Sequence, residues 1–449
     1  MPSDSIVDLE RASLSWASFS PVYGGHLDED AVALRQFVEE GAALTRRLPH
    51  KAVRSAGEQT VVDQLHATSR RSRVAFLRRH AHNIHRTLIA PLTGHVPLSA
   101  LSAQVAARLP GLLPTPAQLA EERGQLQRDK EGLEIDQALF FSELLRDPTV
   151  GLDLVTRLLQ PTAPALELLP AFQRDRRVHL GKVELVARGP AAHLTFHNPA
   201  CLNAEDDELI DQFETAVDIA LLDGGLSVGL LRGGEMTHPR YRGRRVFSAG
   251  INLKELHRGQ ISYADFLLRR EFGTLNKLLH GLRIRVDGDG GDDEFRTVMK
   301  PWVAAVDAFA IGGGAQLLLT CDHVIAAADS YFALPAAQEG IVPGVANLRL
   351  PRIAGARLAR QIILSGRRVF AREPDAAALF DEVVEPAQMD AAIDARLAAL
   401  ASPAVIPNRR MLVLCEEPLD TFRTYMAQFA LEQGQRLYSQ DVLQKVATA

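Results

Sequence analysis

The chain has 449 residues, 47% hydrophobic and 23% charged, with a formal net charge of -5. That length exceeds one ordinary core and calls for a large domain with additions, while the mild acidity gives no reason to expect a nucleic-acid partner. Apolar runs are cut by charges or prolines short of a membrane span, the opening MPSDSIVDLE lacks the pattern of a secretory signal, and Cys201, Cys321 and Cys415 lie far apart, so the expectation is a cytoplasmic protein with reduced thiols, no membrane association and no zinc site.

Residues 1–180 read as a helical N-terminal domain, with apolar spacing suited to helices over 32–48 and 137–159 and a proline-bearing break at 109–116. His80, His82 and His85 stand close together there, but the adjoining Arg78 and Arg79 and the lack of a nearby carboxylate or cysteine argue against a metal. The texture changes near Val183. Strands are expected over 183–188 and 192–196, with Gly189-Pro190 as the turn between them. An amphipathic helix is expected over 206–222, with Leu209, Phe213, Val217 and Leu221 on one face and Gly224-Gly225 stopping it. Short buried strands follow at 227–231, 303–306 and 324–327. Strands alternating with helices predict an α/β core with parallel pairing over 181–388. The acidic run 287–294 reads as a loop, because Val298 stands where an EF-hand requires its bidentate glutamate. After Asp390 the pattern is helical again, broken by Pro403, Pro407 and Pro418, giving a C-terminal region over 389–449.

The stretch that carries chemistry is Ala308-Phe309-Ala310-Ile311-Gly312-Gly313-Gly314-Ala315-Gln316. A strand ends in three glycines and a helix begins. Glycine lets backbone approach a ligand closely, and the first N–H groups of a helix have no partner within it. Alone, this fits a tight strand-to-helix turn as well. The spacing does not make a dinucleotide fingerprint.

Three other segments stand in order around it: Asn198-Pro199-Ala200-Cys201-Leu202-Asn203-Ala204, Ser248-Ala249-Gly250-Ile251-Asn252-Leu253-Lys254, and Phe332-Ala333-Leu334-Pro335-Ala336 running on to Gly344. Together the four resemble the crotonase (enoyl-CoA hydratase/isomerase) superfamily from about Val183 to Pro386. The resemblance implies a crotonase-type ββα superhelix. It also implies an oxyanion hole from the backbone N–H groups of Ile251 and Gly313, with each donor worth roughly 3–4 kcal/mol in an acyl-transfer site. Coenzyme A is expected to bend over Leu202 and Asn203, with its adenine near Ala249. The basic stretch that begins at His238 is a candidate for phosphates and equally fits a solvated loop. The C-terminal helices are expected to assemble the chain into a homotrimer or homohexamer.

The sequence departs from the hydratases at both catalytic glutamates. Gln316 stands where the first is expected and Ala336 where the second is expected; an amide takes no proton at neutral pH, so water addition by that acid–base route is not expected. Glu339 lies three residues beyond the second position and fits a helix-surface residue or a shifted base. An oxyanion hole without hydration machinery suits a thioester whose α-carbon is already acidic, such as an arylacetyl thioester. With the long helical N-terminal region, these features look like the cofactor-independent dioxygenase branch of the superfamily. That likeness implies an enzyme converting 3,5-dihydroxyphenylacetyl-CoA and O2 to the arylglyoxylate and free coenzyme A, without metal or flavin, in glycopeptide-antibiotic precursor synthesis. It assigns Glu205 and Arg270 to the ring hydroxyls and Gln316 to the reacting end. Glu205 also fits a helix-terminal charge, and either Arg269 or Arg270 is expected to face solvent. Two other readings stay open: a different crotonase-fold acyl-CoA enzyme (thioesterase, decarboxylase or isomerase), or a non-catalytic scaffold.

Overall fold

Trp302–Val306 reads WVAAV and every residue of it is buried, as a parallel strand covered on both faces requires. It lies within a seven-stranded sheet. The strands in chain order are β1 (Arg177–His179), β2 (Val183–Arg188), β3 (Ala191–Phe196), β4 (Val228–Gly233), β5 (Leu282–Val286), β6 (Glu294–Val298), β7 (Trp302–Val306), β8 (Phe309–Ile311), β9 (His323–Ala327), β10 (Tyr331–Ala333), β11 (Val369–Phe370) and β12 (Glu382–Val384). The main sheet runs β1-β2-β3-β4-β7-β9-β12, a second runs β11-β10-β8, and β5 pairs with β6 alone. The β1–β2 and β2–β3 pairs are antiparallel; the pairs from β3 to β12 are parallel. The computed structural model describes residues 6–286 and 294–447, so the acidic run read as a loop at 287–294 lies, except for Glu294, outside the described residues.

Alternation divides the sheet between two cores. Val228, Leu230, Val303, Ala305 and Ile325 face the helix Met389–Leu400 through Met389, Ile393 and Leu397. Leu231, Ala304, Val306 and Ala326 face the larger core, which also takes in the helix Asp207–Leu222 and the N-terminal helices. Asp206 caps that helix, its carboxylate accepting from Leu209 N at 3.0 Å. Its polar side is solvated at the start, where Glu208 and Asp211 are exposed, but not further along. Glu214 and Asp218 are fully buried against Lys277 Nζ, at 2.7 and 2.9 Å. A buried charge persists only when paired, and here Lys277 and Arg269 supply the pairing.

The single helix expected over 137–159 is two, Glu134–Arg146 and Pro148–Leu158. Asp147 ends the first and caps the second, accepting from Val150 N at 3.0 Å, and Pro148 takes the first helical position, where its missing N–H costs nothing. Glu134–Arg146 packs along the C-terminal helix Leu419–Arg436, with Ser142 Oγ donating to Ala427 O at 2.6 Å. Part of the region expected to serve assembly therefore packs on its own chain. Each histidine of the 80–85 group has its own carboxylate: Asp30 for His80, Asp147 for His82 and Asp153 for His85, at 2.7, 2.7 and 2.8 Å. Among the described residues no helix is long and apolar enough to cross a membrane, and no group of three or more His, Cys, Asp or Glu is placed to hold a metal ion.

Candidate active site

Two glycine turns meet above the end of β8. Glu205 N donates to Gly250 O at 2.7 Å and Asn252 N donates to Glu205 O at 2.8 Å. This short parallel bridge consumes the groups on either side of Ile251, so the Ile251 N–H points away from it. Opposite, Gly312 adopts φ +54° and the six-residue helix Gly313–Leu318 begins. Gly250 has φ +85°, and a β-carbon there would come within 3.1 Å of Gly313 N. Glycine is required at both turns for conformation and close approach. Ile251 and Gly313 line one cavity with Ala249, Glu205, Arg270 and Gln316. Its apolar walls include Phe266, Leu267, Leu334, Ile341, Val342 and Phe429.

Arg270 enters the cavity from an unusual helix. Tyr263–Leu268 and Arg270–Leu275 are π-helical turns, a form concentrated at functional sites. The wide winding turns Arg270 and Glu271 inward together, both 3% exposed. Arg269 turns away from the cavity to Asp211 and Glu214, at 2.7 and 2.5 Å, with its side chain only 13% exposed, so neither arginine faces solvent, contrary to expectation: the buried Glu214 draws Arg269 in. Arg270 Nε donates to Glu205 Oε2 at 2.6 Å, and Nη2 donates to Glu205 Oε1 at 3.3 Å and Gly313 O at 2.6 Å. Nη1 donates to Glu271 Oε1 at 2.8 Å and to Gln316 Oε1 at 2.9 Å. Burial works against the guanidinium charge, but Glu205 and Glu271 hold the Arg270 pKa above its ordinary value.

A guanidinium only donates, so the contact fixes the Gln316 amide with its oxygen toward Arg270 and its Nε2 away. Ala336 brings a buried methyl group to the cavity. Glu339 lines the same space half-buried, and burial raises its carboxyl above the usual range, with Lys445 opposing. The other candidates are placed less directly. Leu202 and Asn203 have φ of 57° and 55° and do not line the cavity. Leu202 O accepts from Ala249 N at 3.1 Å, and Asn203 Nδ2 donates to Val246 O at 2.7 Å, so Leu202 shapes the cavity rim through its backbone and Asn203 through its side chain. His238 is exposed at a turn beside Tyr241, with ring centroids 6.1 Å apart, and is outside the cavity lining.

Sequence reasoning missed Glu271, Phe429 and Gln433. Glu271 Oε2 accepts from Val345 N at 3.0 Å and Gln433 Oε1 from Val342 N at 2.9 Å, so both hold the 341–345 segment that closes one wall. The only signal for Glu271 was its place beside Arg270; the C-terminal residues gave none.

The family model for enoyl-CoA hydratase/isomerase matches residues 188–434. The (3,5-dihydroxyphenyl)acetyl-CoA 1,2-dioxygenase of Amycolatopsis orientalis is 50% identical over 417 residues, covering 93% of this chain and 95% of that protein. A probable enoyl-CoA hydratase of Rhizobium meliloti (strain 1021) is 28% identical over 255 residues, 55% of this chain and 88% of that one. The crystal structure of an enoyl-CoA hydratase from Mycobacterium avium subsp. paratuberculosis K-10 superposes with a TM-score of 0.50 and 20% identity, over 60% of this chain and 99% of that one, a likeness of fold alone. With more than half its length matched by the family model and an α/β core flanked by helical regions, the chain belongs to the enoyl-CoA hydratase/isomerase (crotonase) family.

Proposed function

We propose that this protein is a (3,5-dihydroxyphenyl)acetyl-CoA 1,2-dioxygenase that works without metal or flavin. One observation carries the reading: Gln316 and Ala336 occupy the two acid–base positions of the hydratases, beside glycine turns left intact and a buried Glu205–Arg270 pair. The near full-length similarity to the Amycolatopsis dioxygenase supports the same substrate.

The substrate's α-hydrogen is flanked by an aryl ring and a thioester, and both delocalise the anion. The Ile251 and Gly313 amides hold the thioester oxygen as the α-proton leaves and negative charge moves onto it. Gln316 sits beside the reacting carbon, and Glu205, held by Arg270, receives a ring hydroxyl. Ala249 and the Leu202–Asn203 backbone meet the coenzyme A arm, with His238 at its outer end. The electron-rich enolate carbon reduces O2, forming a bond from the α-carbon to a peroxide. The terminal peroxide oxygen attacks the thioester carbonyl and expels coenzyme A as thiolate. Loss of the second α-hydrogen as a proton then breaks the O–O bond and leaves the α-keto acid. Both atoms of O2 end in the product and no outside reductant is needed. Apolar walls at Phe266, Leu267, Ile341 and Phe429 admit O2 and exclude water that would protonate the carbanion. The product is an arylglyoxylate of the kind amination turns into an arylglycine for a glycopeptide antibiotic.

The protein acts in the cytoplasm as a homotrimer or homohexamer. The assembly reading is supported by Met411, Leu412 and Leu414 of the helix Val405–Glu416, which are 63%, 58% and 61% exposed on one chain; light scattering in solution tests it. The activity is tested by oxygen consumption. Protein shown free of metal and flavin should take up O2 and release thiol one for one on addition of the thioester. Thiol release without oxygen uptake would overturn the proposal in favour of a thioesterase.

A further inference from the structure

The guanidinium of Arg270 has five N–H donors, and all five are used within the protein: two on Glu205, one on Glu271, one on Gln316 and one on Gly313 O. No donor is left over for a ligand. The two carboxylates have spare capacity. Glu205 accepts from Arg270 once at each oxygen, and Glu271 accepts from Arg270 at Oε1 and from Val345 N at Oε2. Each carboxylate offers about four acceptor sites, so roughly half of each remains open.

Charge points the same way. One carboxylate neutralises Arg270; the second adds a net negative charge inside an apolar cavity. That excess is costly unless further donors reach it. A tie needed only to fix Arg270 would not require a full charge. Glu205 and Glu271 also bind different edges of the guanidinium, Nε/Nη2 and Nη1, so the two acceptors are set apart across one planar group. The two hydroxyls of a 3,5-dihydroxyphenyl ring are similarly set apart across one ring carbon, and each is a donor.

We propose that Glu271 is a second specificity residue: Glu205 takes one meta hydroxyl of the ring and Glu271 takes the other, while Arg270 holds both carboxylates in place. The inference rests on the activity proposed above and names the part of the site that selects the ring. A ring lacking one hydroxyl leaves one buried carboxylate short of a donor, and sites of this kind reject such analogues strongly.

The test compares 3,5-dihydroxyphenylacetyl-CoA, 3-hydroxyphenylacetyl-CoA and phenylacetyl-CoA with wild type and Glu271→Gln, by kcat/KM in air and by calorimetric binding under nitrogen. Glu271→Gln should lose about 10- to 100-fold on the dihydroxy thioester, the worth of a hydrogen bond to a charged group, and little on the monohydroxy one. Equal losses on all three thioesters would overturn the proposal and leave Glu271 as a brace for Arg270 and Val345. A wild-type measurement guards against a variant that does not fold: 3-fluoro-5-hydroxyphenylacetyl-CoA, with no second donor, should bind at least about 10-fold more weakly than the dihydroxy thioester. Equal affinity would overturn the proposal. Binding under nitrogen needs no oxygen chemistry, so tight, hydroxyl-dependent binding without O2 uptake would sink the activity and leave this selection standing.

Discussion

The Glu205 carboxylate rests against the Cα of Gly313: a β-carbon added there would overlap Glu205 Oε2 and lie 2.7 Å from its Cδ. The group assigned to the ring and the amide assigned to the thioester oxygen therefore share one contact, and Arg270 Nη2 ties them again through Gly313 O at 2.6 Å. Gly313→Ala must push the carboxylate off the guanidinium, which displaces the acceptor assigned to the ring, or move the amide, which displaces a donor aimed at developing charge. Activity on the thioester should fall by about 100-fold or more, with circular dichroism unchanged. A near-normal rate would show that this amide is not an oxyanion donor.

Arg270→Ala leaves Glu205 and Glu271 buried without their cation. Breaking a buried pair in this way costs about 3–5 kcal/mol, so the thermal midpoint should drop by several degrees. Arg270→Lys keeps the charge but cannot span both carboxylates as a planar fork does, and it should recover only part of the loss. Binding of free coenzyme A, which is proposed to meet the Ala249 edge, should change far less than binding of the arylacetyl thioester. Equal loss of both ligands would place Arg270 outside ring recognition.

The sheet was legible where local patterning decides it. The stretches 183–188 and 192–196 around Gly189-Pro190 marked a hairpin, found as Val183–Arg188 paired with Ala191–Phe196, and the run 303–306 marked a buried strand, found as Trp302–Val306. The glycines at 250 and 312–314 stood out because their backbone needs leave few other residue types possible. The strands β8, β10 and β11 are two or three residues long and carry no pattern of their own. Asp147-Pro148 did carry a signal, a capping residue before a first-turn proline, but the apolar spacing continues across it. Glu271 was hidden because Arg269, Arg270 and Glu271 make an unbroken charged run, and π winding changes which of them share a face. Phe429 and Gln433 reach the cavity through tertiary packing that no local spacing encodes.

Gln316→Glu restores one carboxylate of the hydratase pair, but Ala336 still offers a methyl where the other would act. The new carboxylate would also join Glu205 and Glu271 around a single guanidinium, and like charges at that range favour its protonated form. Hydration of a 2-enoyl thioester, followed by loss of the conjugated absorbance, should remain undetectable in Gln316→Glu. Dioxygenase turnover should fall, because a protonated carboxyl at 316 no longer presents the amide Nε2 that the Arg270 contact turns away from itself. Measurable hydration by the single variant would mean that a second acid, with Glu339 the nearest in sequence, already serves the site.

Glu122, at the end of the helix Pro116–Arg123, accepts from Gly132 N and Leu133 N at 2.9 and 3.0 Å. Burial pushes its carboxyl from the ordinary 4.5 to about 7, with Glu134 adding to the rise and Lys130 and the two N–H groups opposing it. The folded state thus holds a proton that the unfolded chain releases near its ordinary value. The stability from that proton is fully present below about pH 4.5 and is lost as pH rises through about 7. Glu122→Gln keeps an acceptor oxygen and removes the titration. Thermal midpoints measured from pH 5 to pH 8 should fall less steeply in Glu122→Gln than in wild type, with the variant relatively more stable at the alkaline end. Parallel curves for the two proteins would show that Glu122 is ionised throughout this range and that its two amide donors outweigh its burial.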